Sequence, residues 1–408
     1  MARAKQTKQV RKDKEGKVLK NREYQRENGL YEYKYRIEGQ KGYSSVYADN
    51  LTELRTLEKK IEKDISDGIN THKGKSITLN DMFDKMMRLK VDIRESTKNN
   101  YIARWNDRIR ENLGKKHIST IKKSDIDEFF LSMRIEGLHK GTCKLYYYLI
   151  YQCFEMALDD DLIRKNPAKK VVYDGEEKEV KPLTEKEQES LLEYLERDNV
   201  YHQYLPLLVI FLGTGLRVSE LCALTWQDID FENKRINVDK QLLKRKTKSE
   251  DGEYSLYVEK PKTKSGIRSV SMDDDVVAAF LKQKEQNQIM GKKIIKLVDG
   301  YGNFIFITKN GLPYCVTNVN FILRNIVKNH NKEMETELPY FSAHVLRHTY
   351  ITEMYKKGVD GITIKKQVGH STDKKKDVTL GYIHPDEDFH NEQLKKAEGI
   401  IGRKIAWG

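Results

Sequence analysis

The sequence predicts a multidomain protein: a small three-stranded β-sheet with one helix at the N-terminus, an all-α domain in the middle, and a mainly α C-terminal domain carrying a small antiparallel sheet. Three observations predict it. Leu30 to Ile37 alternates with period two. Apolar stripes at helical spacing run from Leu79 to Met156. From Leu183 onward the pattern is helical again, interrupted by short strand-like runs between Asp228 and Met272. The length of 408 residues also calls for two or three domains. The expected divisions are 1–70, 76–170 and 180–390, with a tail over 391–408.

Taken in order, the first unit is basic, with nineteen Lys/Arg against twelve Asp/Glu up to Lys75. One face of the central strand holds Tyr31, Tyr33, Tyr35 and Ile37; the other holds Glu32, Lys34 and Arg36. Flanking strands are expected at Lys17–Tyr24 and Tyr43–Ala48, with turns at Asn28-Gly29 and around Gly39 to Gly42. Asn50 with Glu53 reads as a capped helix start, and Leu54, Leu57, Ile61 and Ile65 supply its apolar stripe. The Tyr/Ile face then packs on that helix. The outer face, with Lys20, Arg22, Lys34 and Arg36, is left to solvent or to the major groove of DNA, which admits a small sheet.

The middle region carries stripes at Leu79, Met82, Phe83 and Met86; Tyr101, Trp105 and Ile109; Ile126, Phe129, Phe130 and Met133; and Leu145, Tyr148, Leu149, Cys153 and Met156. Aromatics at this spacing build a core rather than a base-stacking platform. Lys98, Arg104, Arg108, Lys140 and Lys144 lie between the stripes and either hold phosphates or solvate the helices. Asn166-Pro167 ends the run. After the polar segment Tyr173 to Lys181, Thr184 and Glu187 open a new helix with a capping box.

Net charge is +13, with 34% charged and 38% hydrophobic residues, which points to a polyanionic partner. The four cysteines, Cys143, Cys153, Cys222 and Cys315, have neither CxxC nor zinc spacing, and read as reduced core residues. The first residues lack the apolar core of a signal peptide, and Leu205 to Leu216 is too short to span a bilayer. A soluble cytoplasmic protein, nucleoid-associated when bound to DNA, is expected.

The chemistry-bearing boxes lie in the last domain. They read Thr-Gly-Leu-Arg217-Val-Ser-Glu220-Leu, Lys262-Thr-Lys264-Ser-Gly-Ile-Arg268, His344-Val-Leu-Arg347-His348, Val-Gly-His370-Ser and Thr379-Leu-Gly-Tyr382-Ile-His384. On a helix His344, Arg347 and His348 share one face. Attack on a phosphodiester piles negative charge on non-bridging oxygens, and a planar guanidinium suits two oxygens at once. Arg217 and Arg347 fit that role. Glu220 either orients Arg217 or makes a plain helix-surface ion pair with it. Tyr382 is a phenol that needs a base and a cationic field, because its ordinary pKa is near 10.

These five boxes, in this order, resemble those of the tyrosine recombinase (phage integrase) family. The middle region, with Ser96 to Tyr101 and Asn166-Pro167-Ala168, is similar to the family's core-binding domain. The N-terminal unit resembles the arm-binding domain of conjugative-transposon and lambda-type integrases. The resemblance covers nearly the whole chain. It implies that Arg217 and Arg347 bind the scissile phosphate, that His344 is the base, that His370 hydrogen-bonds a phosphate oxygen, and that Tyr382 is the nucleophile. It also implies a lysine on a hairpin as donor to the leaving 5′-oxygen; Lys264 fits, and Lys262 lies in the same turn. Asp373 to Asp377 make the gap before the tyrosine longer than is usual for the family. Tyr350 and Tyr355 are the other tyrosines nearby, but Tyr350 continues the His344 helix, whereas Tyr382 carries the Thr-x-x-Tyr-x-His setting.

The resemblance further implies a 3′-phosphotyrosyl intermediate that conserves the bond's energy, so neither ATP nor metal is required and no cofactor is expected. Double-stranded DNA at core and arm sites would be the substrate, held by a homo-tetramer. An excisionase and a DNA-bending host protein would be possible accessory partners, and the tail would dock in cis or in trans. Related readings are a Xer-like resolving recombinase and a type IB topoisomerase, neither of which needs the extra N-terminal sheet. A non-catalytic DNA-binding regulator of the same fold is the reading from another class.

Overall fold

The computed structural model describes residues 10–36, 42–69, 74, 76–173, 175, 180–246, 254–261, 263–291, 297–370 and 387–407. Lys262, Tyr382 and His384 lie outside the described residues, as do the side chains of Lys246 and Lys264. The chain forms two compact units, 1–179 and 180–408.

The first unit starts with β1 (Glu23–Gln25), β2 (Tyr31–Tyr35) and β3 (Ser44–Ala48), an antiparallel sheet in the order β1-β2-β3. Tyr33 is the centre of its register, opposite Glu23 on one side and Val46 on the other. The expected first strand is shorter than the sequence pattern suggests. Arg22 adopts a left-handed φ of 69°, and residues 10–20 fold back through a Lys12–Val18 bridge instead. Tyr31, Tyr33 and Tyr35 bury against α1 (Leu51–Ser66), whose Leu51 and Leu54 complete this small core. Asn50 caps α1 by accepting from the Glu53 N–H at 2.8 Å.

The rest of the unit is helical: α2 (Leu79–Leu89), α3 (Glu95–Arg104), α4 (Lys123–Ile135) and α5 (Lys140–Asp159). Trp105 stacks on Phe83 with ring centroids 4.0 Å apart and donates its indole N–H to Asn80 at 2.8 Å. The buried face of α5 is rotated from the predicted stripe. Tyr146, Ile150, Phe154 and Ala157 join Leu149 and Cys153 in the core, while Leu145 and Tyr148 stay half-buried. The Tyr146 hydroxyl donates to Asp107 at 2.6 Å, a partner that the apolar pattern alone does not reveal. Arg164 ties the helical layer to the end of α1 by donating to Asp64 at 2.5 Å and Asp67 at 2.7 Å.

The second unit is built around α7 (Leu205–Thr214), a helix buried at all ten positions, after α6 (Glu185–Arg197). A helix apolar all round belongs inside a core. A short helix α8 (Val218–Leu221) follows, then two sheets. Strands β4 (Ile229–Asp230), β5 (Arg235–Val238) and β8 (Arg268–Ser271) pair antiparallel in the order β4-β5-β8. Strands β6 (Gln241–Lys246) and β7 (Tyr254–Glu259) form a separate hairpin. A buried ion pair between Lys240 and Asp228, 2.5 Å, pins the start of that hairpin. Helices α9 (Asp274–Ile289), α10 (Val316–Glu333), α11 (Ala343–Lys356), α12 (Gly361–Val368) and α13 (Glu387–Lys395) complete the unit, with α9 and α11 packed on α7. The tail packs on its own unit: Ile400, Ile401 and Ile405 enter the main core, and Arg403 donates to Glu196 of α6 at 2.6 Å.

Candidate active site

The site forms where α7 ends and where α12 ends. Gly215 stops α7 with a φ of +61°, and a Cβ there would sit 2.3 Å from the Tyr350 ring. Only glycine meets both demands. The chain then turns so that Arg217 heads α8. Its backbone N–H donates to Glu220 Oε2 at 2.9 Å and its Nη1 to Glu220 Oε1 at 2.7 Å. Its side chain remains 39% exposed, open towards solvent on the remaining side.

Arg347, on α11, is 2% exposed. Its Nη1 donates to the Gly215 carbonyl at 2.7 Å and its Nη2 to the Val368 carbonyl at 2.6 Å. Burial, with the nearby Arg217 charge, lowers its pKa to about 10, so it stays protonated near neutrality.

Helix α12 ends at Gly369, φ +67°, and its last carbonyls face a row of arginines. Arg268 Nε donates to the Gln367 carbonyl at 2.8 Å, Arg347 Nη2 to Val368, and Arg217 Nη2 to Gly369 at 3.0 Å. Three successive carbonyls thus receive three different guanidiniums. Terminal helix carbonyls lack intrahelical partners and carry the negative end of the dipole, so cations gather there. His370 follows directly, its own N–H bonded to the Lys365 carbonyl at 2.9 Å.

His344 and His348, one turn apart on α11, bring their Nε2 atoms to 3.1 Å. Surrounding protein together with His348, Arg347 and Arg217 lowers the pKa of the His344 ring. Burial and the three arginines, Arg347, Arg217 and Arg268, lower that of His370. Neutral imidazoles can accept a proton, which suits His344 as a base. Glu220, 3% exposed, would be raised by burial, but the hydrogen bond and charge of Arg268, joined by Arg217, hold it below the ordinary carboxylate value.

The sequence-predicted residues therefore meet as follows. Arg217 and Arg347 converge on the end of α12, where His370 follows; Glu220 joins through its bonds to Arg217, and His344 lies one turn before Arg347. Lys264 begins the tight turn Lys264–Gly266 that leads into β8; its backbone is described, its side chain is not. Beside that turn lies a cleft of about 350 Å³ lined by Ser265, Arg268, Gly369 and His370. Tyr350 is buried against Gly215, 3% exposed, and burial raises its phenol pKa. Tyr355 is exposed but lies about 12 Å further along α11 than Arg347. Sequence reasoning gave no role to Arg268 or His348, although both lie inside the boxes.

The other predicted DNA contacts are in the first unit. On the outer face of the sheet Lys34 stands over the Tyr24 ring at 5.0 Å and Arg22 over Tyr43 at 5.7 Å. Arg11 covers Tyr24 and Arg26 covers Tyr47, so this face is an array of tyrosines under cations, an arrangement the alternation did not reveal. Lys20 departs from the expected face, because its Nζ turns to Glu58 of α1 at 3.3 Å. Arg36 follows β2 and is exposed. In the helical layer Arg104 and Lys144 are exposed, and Lys98 and Lys140 are half-buried.

A cluster of guanidiniums beside imidazoles on a helical scaffold is suited to holding a phosphate group. Residues 181–388 match the phage integrase family and residues 7–65 match the DNA-binding domain of Tn916 integrase. The chain belongs to the phage integrase family, the tyrosine recombinases, and is an enzyme that breaks and rejoins DNA strands. It is 33% identical over 403 residues to the transposase from transposon Tn916 of Enterococcus faecalis, covering 95% of this chain and 96% of the relative. The same figures hold for the transposase from transposon Tn1545 of Streptococcus pneumoniae. Among solved structures, the Tn1549 transposon integrase in complex with a circular intermediate DNA matches with a TM-score of 0.66 and 31% identity, over 78% of this chain and 99% of that one. A lambda integrase dimer bound to a core site shares the fold, with a TM-score of 0.53 at 17% identity, over 90% of this chain and 97% of that one.

Proposed function

We propose that this protein is the integrase of a Tn916-like conjugative element, cutting and rejoining double-stranded DNA for integration and excision. The observation that carries the site assignment is the convergence of Arg217 and Arg347 on the end of α12, beside His370. Two guanidiniums held by fixed acceptors are preorganised for the charge that develops on a pentavalent phosphorus, and they need not reorganise when it appears. His370 would add a hydrogen bond to a non-bridging oxygen.

In the proposed step the Tyr382 phenol gives its proton to His344 and its oxygen attacks phosphorus. The bond to the 5′-oxygen breaks as Lys264 supplies a proton to that oxygen. The products are a 3′-phosphotyrosyl link and a free 5′-hydroxyl, and reversal on a second 5′-end rejoins the strand. Glu220 orients Arg217.

We read residues 1–70 as the arm-site domain, 76–170 as the core-binding domain and 180–390 as the catalytic domain. Tyr24, Lys34 and Arg22 would face arm DNA, and Arg104 and Lys144 core DNA. Assembly would be a tetramer on DNA in the cytoplasm, aided by an excisionase and a DNA-bending host protein. No helix among the described residues is long and apolar enough to cross a membrane.

The test uses a nicked duplex built from the joined ends of the element that carries the gene, in EDTA, analysed on a denaturing protein gel. The nick lets the short cut strand diffuse away, so the covalent complex accumulates. Wild type is expected to shift by the mass of the DNA, and Tyr382→Phe is not. A shift that persists in Tyr382→Phe would overturn the nucleophile; no shift in either, with binding intact, would favour a DNA-binding regulator.

A further inference from the structure

We propose that Arg268 is a positioning residue for the cleavage step, holding Arg217 in register with the lysine turn and with His370. The inference rests on the reading of Arg217 as a phosphate clamp. Arg268 is almost wholly buried, its side chain 5% exposed, and among the described residues its guanidinium bonds to Glu220, Gly266 and Gln367, all at the site. Its Nη2 donates to Glu220 Oε2 at 2.9 Å and its Nη1 to Oε1 at 3.1 Å, the oxygen that also accepts from Arg217 Nη1. Its Nη1 also reaches the Gly266 carbonyl at 3.3 Å, inside the lysine turn. Its Nε holds the Gln367 carbonyl, the first of the three carbonyls that the arginines share.

Two consequences follow from the charges. Glu220 lies between two guanidiniums, so the trio keeps one net positive charge to offer a phosphate. Without Arg268 the same carboxylate would neutralise Arg217 alone and pull it inward, competing with DNA for its donors. The geometry is also tight. A Cβ on Gly369 would lie 2.9 Å from Arg268 Nη1 and 2.9 Å from the Ser265 carbonyl, so the lysine turn, Arg268 and the residue before His370 are in direct contact. A planar fork is required to meet Glu220 with two parallel bonds; a lysine offers a point charge.

The experiment compares wild type, Arg268→Gln, Arg268→Lys, Glu220→Gln and the double variant Glu220→Gln/Arg268→Gln, all full length. Each is assayed for single-turnover formation of the covalent complex on the nicked duplex, for duplex affinity and for melting temperature. Arg268→Gln is expected to slow cleavage by about 10²-fold, the scale of a small misplacement at a reacting centre, with affinity within a few-fold of wild type. Arg268→Lys should recover part of the rate. The double variant should cleave faster than Arg268→Gln, because the unbalanced carboxylate has gone. A wild-type rate in Arg268→Gln would overturn the role. So would a loss that tracks melting temperature and deepens in the double variant, the signature of a purely structural residue. Absence of the adduct in wild type as well would sink the recombinase chemistry itself, which is a different result from wild-type cleavage that Arg268→Gln leaves unchanged.

Discussion

The two units hold their cations in opposite ways. At the catalytic end the guanidiniums of Arg347 and Arg268 are buried, with both Nη groups of Arg347 bonded to carbonyls and Arg268 bonded to Glu220 and to the Gln367 carbonyl. On the N-terminal sheet Lys34 and Arg22 rest on exposed tyrosine rings, and such contacts contribute about 0.5–1 kcal/mol at exposed sites. A fixed cation is useful where a transition state must be met without reorganisation. A loosely held one is useful where a surface must adapt to a groove and tolerate many phosphates. The contrast predicts that substitutions at the first site change a rate, and substitutions at the second change an affinity and its salt dependence.

The largest effect should come from Arg347→Ala. It removes a clamp donor and leaves the Gly215 and Val368 carbonyls without this partner, so covalent-complex formation should fall by about 10³-fold, with duplex affinity far less affected. A matched loss of affinity would blur the distinction between the units. Next is Gly215→Ala, which meets both a positive φ and the Tyr350 ring. Chemical denaturation should show a loss of about 3 kcal/mol in the catalytic unit; a stability near wild type would mean that α11 can shift away from α7. Lys34→Ala on the sheet should weaken binding to arm-type duplex and reduce the slope of log affinity against log salt by about 1, while cleavage of the nicked duplex keeps its rate. A cleavage defect there would contradict the division of labour.

The subtlest prediction concerns pH. Surrounding protein and the neighbouring charges of His348, Arg347 and Arg217 lower the His344 pKa, so more of the ring is neutral at a given pH than in a free imidazole. The acid limb of the cleavage profile should therefore lie below the ordinary imidazole value of about 6.5. His348→Ala opens the ring to water and removes one lowering charge, so the limb should move up in pH. An unmoved limb would mean that another group limits the rate on the acid side.

What the sequence revealed follows from distance along the chain. The spacing of His344, Arg347 and His348 puts three groups on one helical face with no tertiary information, and Gly213-Thr214-Gly215 marks the end of α7. The period-two run around Tyr33 fixes the buried face of the sheet for the same reason. Arg268 was legible only as a basic residue after a turn, because its partners Glu220 and Gln367 lie 48 and 99 positions away. Lys20 was misplaced because the positive φ of Arg22 breaks the alternation that would have carried it to the outer face. Likewise the polar anchor of Tyr146 on Asp107 belongs to a contact across 39 positions, so the apolar stripe gave no sign that Tyr146 joins the buried face of α5.

The helix Leu205–Thr214 carries one more implication. Amides on an element buried at every position exchange with solvent only when the whole unit opens. They would be the slowest hydrogen-exchange clock in the catalytic unit, and the Gly215 carbonyl that receives Arg347 hangs from the end of that clock. The half of the clamp that rests on the Gly215 carbonyl should share the lifetime of that buried helix.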